Sequence, residues 1–199
     1  MQNNYMLQAR QAKACFLTYD QDTLIQKHNL KADAAYLYLT FLGEPYRIHR
    51  TSGDTSFLRD GCWLDGNSHG EVMTILDLLC DSSPRRHLSG RLQNMQDFGH
   101  QFHRDLQEQN PDALFFDRCP EQLKKGCEAL GGIPFQNGDI AYSLPVFEDL
   151  TVTLQFWQGD EEFAPRIRYL WDENALEYLK YETMYYAVGV LISKIKAQK

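Results

Sequence analysis

The chain has 199 residues, with 20 Lys or Arg against 27 Asp or Glu, so its formal net charge is −7. Aromatic residues make up 13% of the chain, which argues against intrinsic disorder. No apolar run approaches the ~18 residues that a membrane-spanning helix needs. An excess of negative charge argues against a protein that binds the nucleic-acid backbone. We therefore expect neither a nucleic-acid partner nor a membrane partner.

The cysteines indicate the cellular setting. There are five of them, an odd number, and no two have C-x-x-C spacing. Residues 1–5 also lack the basic and apolar segments of a secretory leader. We expect a cytoplasmic protein whose cysteines are reduced and used as small apolar residues.

The first third of the chain predicts two helices followed by a hairpin. Apolar residues recur at helical spacing over 4–19, and a second short helix is expected over 22–29. Residues 34–42 are rich in aromatic and branched side chains and end at a Gly-Glu-Pro step, which favours a strand. Residues 46–49 are the expected hairpin partner of that strand.

The middle of the chain carries clear helix boundaries. Ser68 and Glu71 form a capping-box pattern, which predicts a helix over 69–80. A helix over 97–109 is expected to end at Asn110-Pro111, and another is expected to run from Pro120 to a Gly-Gly pair. Asn137-Gly138 then indicates a tight hairpin turn.

The last third predicts an antiparallel hairpin and a long helix. Residues 151–157 and 166–171 both alternate apolar and polar side chains, which is typical of strands covered on one face only. A helix follows, with apolar residues in register up to Ile195. The predicted class is α+β, an antiparallel sheet with helices at both ends and between hairpins. We expect one domain over 1–199, with the helical segment 1–30 packed on it.

The loop between these two strands gathers charge. Asp160, Glu161 and Glu162 are adjacent, and such carboxylates are relieved by solvent, by an arginine or by a hard divalent cation. Arg166 and Arg168 are close enough in sequence to supply the counter-charge. Trp157 and Trp63 both offer planar surfaces for stacking on a ligand; these two tryptophans are alternatively core residues.

Two further clusters could bind ligands. Asp97, His100 and His103 step by three along the expected helix, so they would span one side of it and could share a metal ion. Interfacial or surface histidines are the alternative. The basic segment 85–91 could hold an anion such as phosphate, or it could be a solvated loop.

The C-terminal third resembles a known family. The landmarks are a Leu-Pro step, a strand ending in Trp, an acidic turn and an aromatic step into a helix: Leu144-Pro145, Leu154–Trp157, Gly159-Asp160-Glu161-Glu162-Phe163 and Tyr169-Leu170-Trp171-Asp172. They resemble the domain-of-unknown-function family numbered 3786, as does Phe41-Leu42-Gly43 earlier in the chain. The chain departs from the family pattern at Ala164 and Trp171.

The resemblance implies a bacterial or archaeal protein, largely from anaerobes, with a link to redox or one-carbon metabolism. Some members carry an iron–sulfur cysteine segment that is absent here, and the family implies no catalytic residues.

Two hypotheses follow. The first is a non-catalytic module that binds a small molecule or a protein partner through Trp157, the acidic loop, Arg166 and Arg168. The second is a metal-dependent, hydrolase-like enzyme, in which the loop carboxylates hold a divalent metal with His100 or His103 as a further ligand or base.

Overall fold

The computed structural model describes residues 4–98 and 110–198. The chain divides into two compact units, the first formed by residues up to 87 with 176–190, and the second by residues 88–175 with 191–198. Each unit contains an antiparallel sheet, and helices precede, separate and follow the two sheets. The α+β class is confirmed, while the expectation of one domain over 1–199 stays a prediction.

The first unit has a five-stranded antiparallel sheet in sequence order. Its helices are α1 (Asn4–Phe16), α2 (Gln21–His28) and α3 (His69–Cys80). Its strands are β1 (Lys31–Ala32), β2 (Tyr36–Phe41), β3 (Glu44–His49), β4 (Thr55–Arg59) and β5 (Cys62–Leu64).

Alternation along β2 separates a core face from an outer face. Leu37, Leu39 and Phe41 are buried, so the intervening Tyr36 and Tyr38 point to the opposite face of the pleated sheet. The register aligns Tyr38 with Arg47, then Arg47 with Ser56, and Leu58 with Trp63. Facing residues lie on the same side of a sheet, so a row of polar and aromatic side chains crosses the outer face.

Helix α3 begins at the predicted capping box. The Ser68 hydroxyl accepts a hydrogen bond from the Glu71 amide, and the Glu71 carboxylate accepts one from the Ser68 amide at 2.7 Å. Ile75, Leu78 and Leu79 are completely buried, so the helix lays its apolar face on the core. The predicted helix over 69–80 is confirmed.

The second unit has a sheet in the order β6-β10-β9-β8-β7. Its helices are α4 (Pro111–Arg118) and α5 (Pro120–Ala129), and Met95–Phe98 is one turn of 3₁₀-helix. Its strands are β6 (Leu92–Asn94), β7 (Ile133–Pro134), β8 (Ile140–Phe147), β9 (Leu150–Trp157) and β10 (Arg166–Asp172).

The expected helix over 97–109 lies outside the described residues, apart from residues 97 and 98 in the 3₁₀ turn. At Asn110-Pro111 helix α4 begins, since the Asn110 side chain accepts a hydrogen bond from the Asp112 amide at 2.9 Å and caps it.

One sequence-based prediction about this unit is wrong. The polar face of β9 is not solvated, because Thr153 and Gln155 are only 1% and 5% exposed. The Gln155 amide donates to the Gln136 carbonyl at 3.2 Å instead.

Helix α6 (Tyr181–Ala197) contributes to both units. Met184 is buried in its first part, which belongs to the first unit, and Leu191 and Ile195 are buried in its last part, which belongs to the second. In the second unit a Cβ on Gly126 of α5 would lie 2.6 Å from the Ile195 side chain. Only glycine allows this close approach of the two helices.

Candidate functional site

The acidic loop folds into a turn held by its own carboxylate. Asp160 Oδ1 accepts hydrogen bonds from the amides of Glu162 at 2.8 Å and Phe163 at 2.7 Å. The Gly159 amide donates to Asp117 Oδ1 at 2.8 Å, which fixes the start of the turn. Asp160 therefore shapes the backbone, while Glu161 and Glu162 are exposed.

The surface beside this turn is shallow. A depression of about 500 Å³ is lined by the turn residues and Asp117 alone. Phe163 is 69% exposed at its rim. An open depression of this kind encloses little of a small ligand, whereas binding pockets bury most of the ligand surface.

The predicted metal site lies only partly within the described structure. His100 and His103 lie outside the described residues. Across 4–98 and 110–198, no three His, Cys, Asp or Glu side chains are grouped so that they could hold a metal ion. A divalent metal at the acidic loop therefore stays a prediction.

Trp157, Arg166 and Arg168 do lie together on one face of the second sheet. Arg166 faces Trp157 in the register, and the Arg168 guanidinium lies 5.4 Å from the centre of the Trp157 ring. Within the described chain, neither arginine forms an ion pair with Glu161 or Glu162, and Arg168 Nε is buried without a hydrogen-bond partner. Burial lowers the pKa of Arg166, and the nearby charge of Arg168 lowers it further.

The end of the basic segment 85–91 donates hydrogen bonds to two carboxylates of the chain itself. The amides of Ser89 and Gly90 donate to Asp172 at 3.1 and 2.8 Å, and Arg91 Nε donates to Glu173 at 2.9 Å. Asp172 is 4% exposed. Ser89, Gly90 and Arg91, which could have held a phosphate, therefore donate within the second unit instead.

Sequence reasoning missed a cleft at one end of the first sheet, which we call the sheet-end cleft. It measures about 470 Å³ and is formed where β2 begins, β3 ends, β4 begins and the chain leaves β5 for α3. The residues used below are Lys13, Tyr36, His49, Asp54, Asp65 and Asn67. Its volume falls within the range of ~300–1,000 Å³ typical of small-molecule pockets.

Both carboxylates of the sheet-end cleft accept a hydrogen bond from a hydroxyl group. Ser52 Oγ donates to Asp54 Oδ2 at 2.7 Å, and Ser56 Oγ donates to Asp65 Oδ1 at 2.8 Å. Lys13 Nζ donates to the other oxygen of Asp54 at 2.7 Å. These contacts, Lys13 first, lower the pKa of the Asp54 carboxyl. The ammonium group of Lys13 is thus held by Asp54.

Asn67 has one half of its amide unused. Its Nδ2 donates to Thr55 Oγ1 at 2.6 Å, while Oδ1 is buried and has no partner among the described residues. The Thr55 hydroxyl can donate as well as accept, so exchanging the two amide atoms would leave Nδ2 unpaired instead. Either assignment leaves one polar atom of Asn67 without a protein partner.

Aromatic rings and an arginine support one side of the cleft. Arg47 lies 4.0 Å from the centre of the Tyr36 ring and 4.7 Å from that of Trp63. His49 meets Tyr36 edge-on, with the ring centres 5.2 Å apart. The guanidinium therefore lies against both rings and fixes the Tyr36 ring that lines the cleft.

The loop of the β3–β4 hairpin has Ser, His and Asp side chains, but their hydrogen bonds do not connect them as in a catalytic triad. The Ser52 hydroxyl donates a hydrogen bond to Asp54, and His49 Nδ1 lies 3.2 Å from the Thr51 hydroxyl and 3.4 Å from the Ser52 hydroxyl. In a triad the histidine takes the serine proton and the aspartate orients the histidine. Here the aspartate contacts the serine, so Ser52 is a turn residue and not an activated nucleophile.

A family model described as Domain of unknown function (DUF3786) matches residues 20–194 of the chain. The chain belongs to this family. No curated protein and no solved structure matches the chain. Among the described residues of this DUF3786 chain, no helix is long and apolar enough to cross a membrane. The matched stretch contains the sheet-end cleft apart from Lys13, as well as the acidic turn.

Sequence signals for the sheet-end cleft existed but were spread over separate elements. Trp63 was noted as a stacking surface, and Asn67 directly precedes the capping box. The hairpin pairing that brings Tyr36 opposite His49 could be inferred, but strands β4 and β5 were not predicted. Without those strands, nothing brought Asp65 near the other residues.

Proposed function

We propose that this DUF3786 protein is a non-catalytic module that binds a small molecule in the sheet-end cleft. The cleft itself is the observation that carries the proposal, because Asp65, Asn67 and the Tyr36 ring converge on one cavity of about 470 Å³. A few polar groups that converge beside an aromatic surface are typical of small-molecule sites.

The contacts of Ser52 support a binding role over a catalytic one. Its hydroxyl both donates to the Asp54 carboxylate and accepts from the Asp54 amide at 3.2 Å. The Ser52 hydroxyl is thus hydrogen-bonded to Asp54 within the turn and is not directed at His49, the residue that would act as the base in a triad.

A second groove in the first unit is less suited to a polar ligand. It measures about 420 Å³ and is lined by α1, α3 and the start of α6. Its charged groups are paired with one another, because Lys180 bridges Asp77, at 3.1 Å, and Asp81. The sheet-end cleft therefore remains the preferred site.

The proposal is tested by protein-observed NMR with a small library of neutral sugars and polyols, amines, carboxylates and phosphates. At least one compound is expected to shift the amide signals of His49, Ser56 and Asn67. Asp65→Tyr, which fills the cleft from an exposed position, is expected to abolish the shifts, and Thr40→Tyr on the exposed part of β2 is expected to keep them. Absence of any shift at the cleft across the library would contradict the proposal.

A second binding site is proposed at Trp157, Arg166 and Arg168, for a small anion or an acidic segment of a protein partner. Among the described residues neither arginine takes part in an ion pair, and Arg166 is exposed opposite Trp157, which supports this site. Titration with inorganic phosphate is expected to shift the Trp157 indole signal in the native protein and not in Arg168→Met. Equal shifts of the Trp157 signal in both proteins would contradict the proposal of this site.

The more specific predictions about metabolic role and location remain proposals. A role beside redox or one-carbon enzymes of anaerobes, and a cytoplasmic location, rest on the family resemblance and the cysteine pattern. The metal-dependent hydrolase remains the alternative, and it requires His100 or His103 to approach the carboxylates of the acidic turn. Mn²⁺ bound at such a site would broaden the NMR signals of the acidic turn. Loss of this broadening in His100→Ala or His103→Ala would support that alternative.

A further inference from the structure

The groove between α1, α3 and α6 is lined by one stripe of side chains from each helix, and we call it the helix groove. It measures about 420 Å³ and lies within the first unit. Its lining positions recur at i, i+3, i+4 and i+7 on α1, from Gln8 to Cys15, and on α3, from Met73 to Cys80. Such spacing places the side chains of each helix on one face.

The helix groove offers an apolar surface along α3. Ala12, Met73 and the Tyr186 ring line it and are partly exposed, and they lie beside Leu76, which is 2% exposed. Apolar groups of a ligand that cover this surface leave water, which favours binding. From Met73 to Cys80 the helix rises by ~10 Å, so the surface accommodates a chain of several carbon atoms.

The charged groups lie towards the end of α3, and they do not cancel. Among the described lining residues, Asp77, Asp81 and Glu182 carry three negative charges and Lys180 carries one positive charge. The hydrogen bond to Asp81 raises the pKa of Lys180, so its ammonium group stays charged at neutral pH. The groove therefore keeps an excess of negative charge, which attracts cations and repels anions.

Glu182 is the carboxylate that a ligand can reach. Lys180 Nζ lies 3.1 Å from Asp77 Oδ1 and also pairs with Asp81, so these two carboxylates are already engaged. Glu182 is exposed at the rim of the groove, and among the described residues it takes part in no ion pair. A cation that arrives from solvent meets this carboxylate first.

The two features together select the ligand. An anion is repelled by the excess negative charge, and Lys180 is held by Asp77 and Asp81 and is not free to pair with it. A neutral apolar molecule covers the hydrophobic surface but gains no attraction from Glu182. A small polar cation gains that attraction but leaves the hydrophobic surface in water. An amine with an apolar chain uses both features.

We infer that the helix groove binds an amphiphilic amine, whose apolar chain packs along Ala12 and Met73 and whose ammonium group pairs with Glu182. The volume of about 420 Å³ lies within the range of small-molecule sites. The helix groove and the sheet-end cleft share no lining residue, so this second site does not depend on the proposed function.

The test uses octylamine, octanol and octanoate, which share one chain and differ in the charge of the head group. Protein-observed NMR follows the Met73 methyl group and the Ala12 amide. We expect saturable shifts with octylamine, and an affinity about threefold or more above that of octanol, because an exposed ion pair adds modestly to binding. Octanoate is expected to bind more weakly than octanol. Butylamine, with a shorter chain, is expected to bind more weakly than octylamine.

Variants assign the ammonium contact to its residue. Glu182→Gln is expected to lower the affinity for octylamine to that for octanol and to leave octanol binding unchanged. Glu161→Gln is the matched control, because it removes the same charge from an exposed position that does not line the groove. High NaCl concentration is expected to reduce the preference for octylamine over octanol in the native chain, since salt screens an exposed ion pair.

Each contrary outcome overturns a defined part of the inference. Octanol or octanoate that binds as tightly as octylamine would overturn the inferred charge of the ligand. Absence of saturable shifts at Met73 and Ala12 with every octyl compound would overturn the groove as a binding site. Equal octylamine affinity of Glu182→Gln and the native chain would overturn the assigned contact. The amides of Ser56 and Asn67 report on the sheet-end cleft and are expected to stay unmoved, and octylamine shifts confined to them would overturn the location.

Discussion

The Asn67 side chain donates to the Thr55 hydroxyl at 2.6 Å, and this is the one contact that the described structure gives to the amide. The bond links the first residue of β4 to the segment that enters α3. It therefore positions Asn67 at the sheet-end cleft.

Removing the Thr55 hydroxyl should destabilise the first unit. Thr55→Val keeps the size of a side chain that is 6% exposed and deletes the partner of Asn67. An unpaired, partly buried amide costs about 1–3 kcal/mol, so we expect a loss of that order in chemical unfolding. Thr40→Val changes an exposed hydroxyl on the same sheet, and its effect is expected to stay within about 0.5 kcal/mol. Equal effects of the two variants would contradict this role of Thr55.

Asp172 should make the second unit sensitive to acid. Burial raises the pKa of its carboxyl, but hydrogen bonds from the amides of Asn174, Ser89 and Gly90 outweigh burial and leave the pKa below its ordinary value. A depressed pKa stabilises the fold above the unfolded value of about 3.9, and this stabilisation is lost as the pH falls through the folded value.

Asp172→Asn is expected to lower the free energy of unfolding at pH 7 by about 1.5–3 kcal/mol, because an amide replaces a charged acceptor. The difference from the native chain should shrink below about pH 4, where the native carboxyl becomes protonated. Urea unfolding between pH 3 and 7 measures both effects. Glu162→Gln, at an exposed position, serves as the control, and a difference that is independent of pH would contradict the account.

The reactivity of the five thiols should depend on their burial. Burial raises the pKa of Cys80 and of Cys127 to about 12, so both stay protonated near neutral pH. Cys15 and Cys62 are exposed, and Cys119 is partly buried. With a thiol reagent at pH 8, we expect Cys15 and Cys62 to react first and the two buried thiols to react only in denaturant. Mass spectrometry assigns the sites, and rapid labelling of Cys127 in the native chain would contradict the prediction.

The three carboxylates of the acidic turn should differ in their roles. Asp160→Ala removes the acceptor of the Glu162 and Phe163 amides, so hydrogen exchange at these amides is expected to accelerate. Glu161→Gln removes an exposed charge and is expected to leave their exchange unchanged. Equal exchange in the native chain and Asp160→Ala would show that the carboxylate does not hold the turn.

Local signals predicted individual elements well. The capping box located α3, and alternation located the strands that became β9 and β10, because these patterns depend on neighbours within a few residues. Asn110-Pro111 was interpreted only as the end of a helix, although the same pair also caps the start of α4. The burial of Thr153 and Gln155 depends on what covers the sheet, which strand periodicity does not contain.

The candidate site was harder to predict than the fold. Trp157, Arg166 and Arg168 were found because they belong to one hairpin, whose register follows from the sequence. The sheet-end cleft combines Lys13, Tyr36 and Asp65 from segments far apart in the chain. Their proximity depends on the pairing of five strands and the packing of two helices, so no short sequence motif predicts the cleft.

Helix α6 places a constraint on synthesis of the protein. Its first part supplies Met184 to the core of the first unit, and its last part supplies Ile195 to the core of the second. A growing chain that has emerged from the ribosome only as far as residue 175 lacks both contributions. Although the strands of each sheet are available earlier, neither core can close until α6 has been synthesised, so nascent chains must avoid aggregation with two incomplete cores.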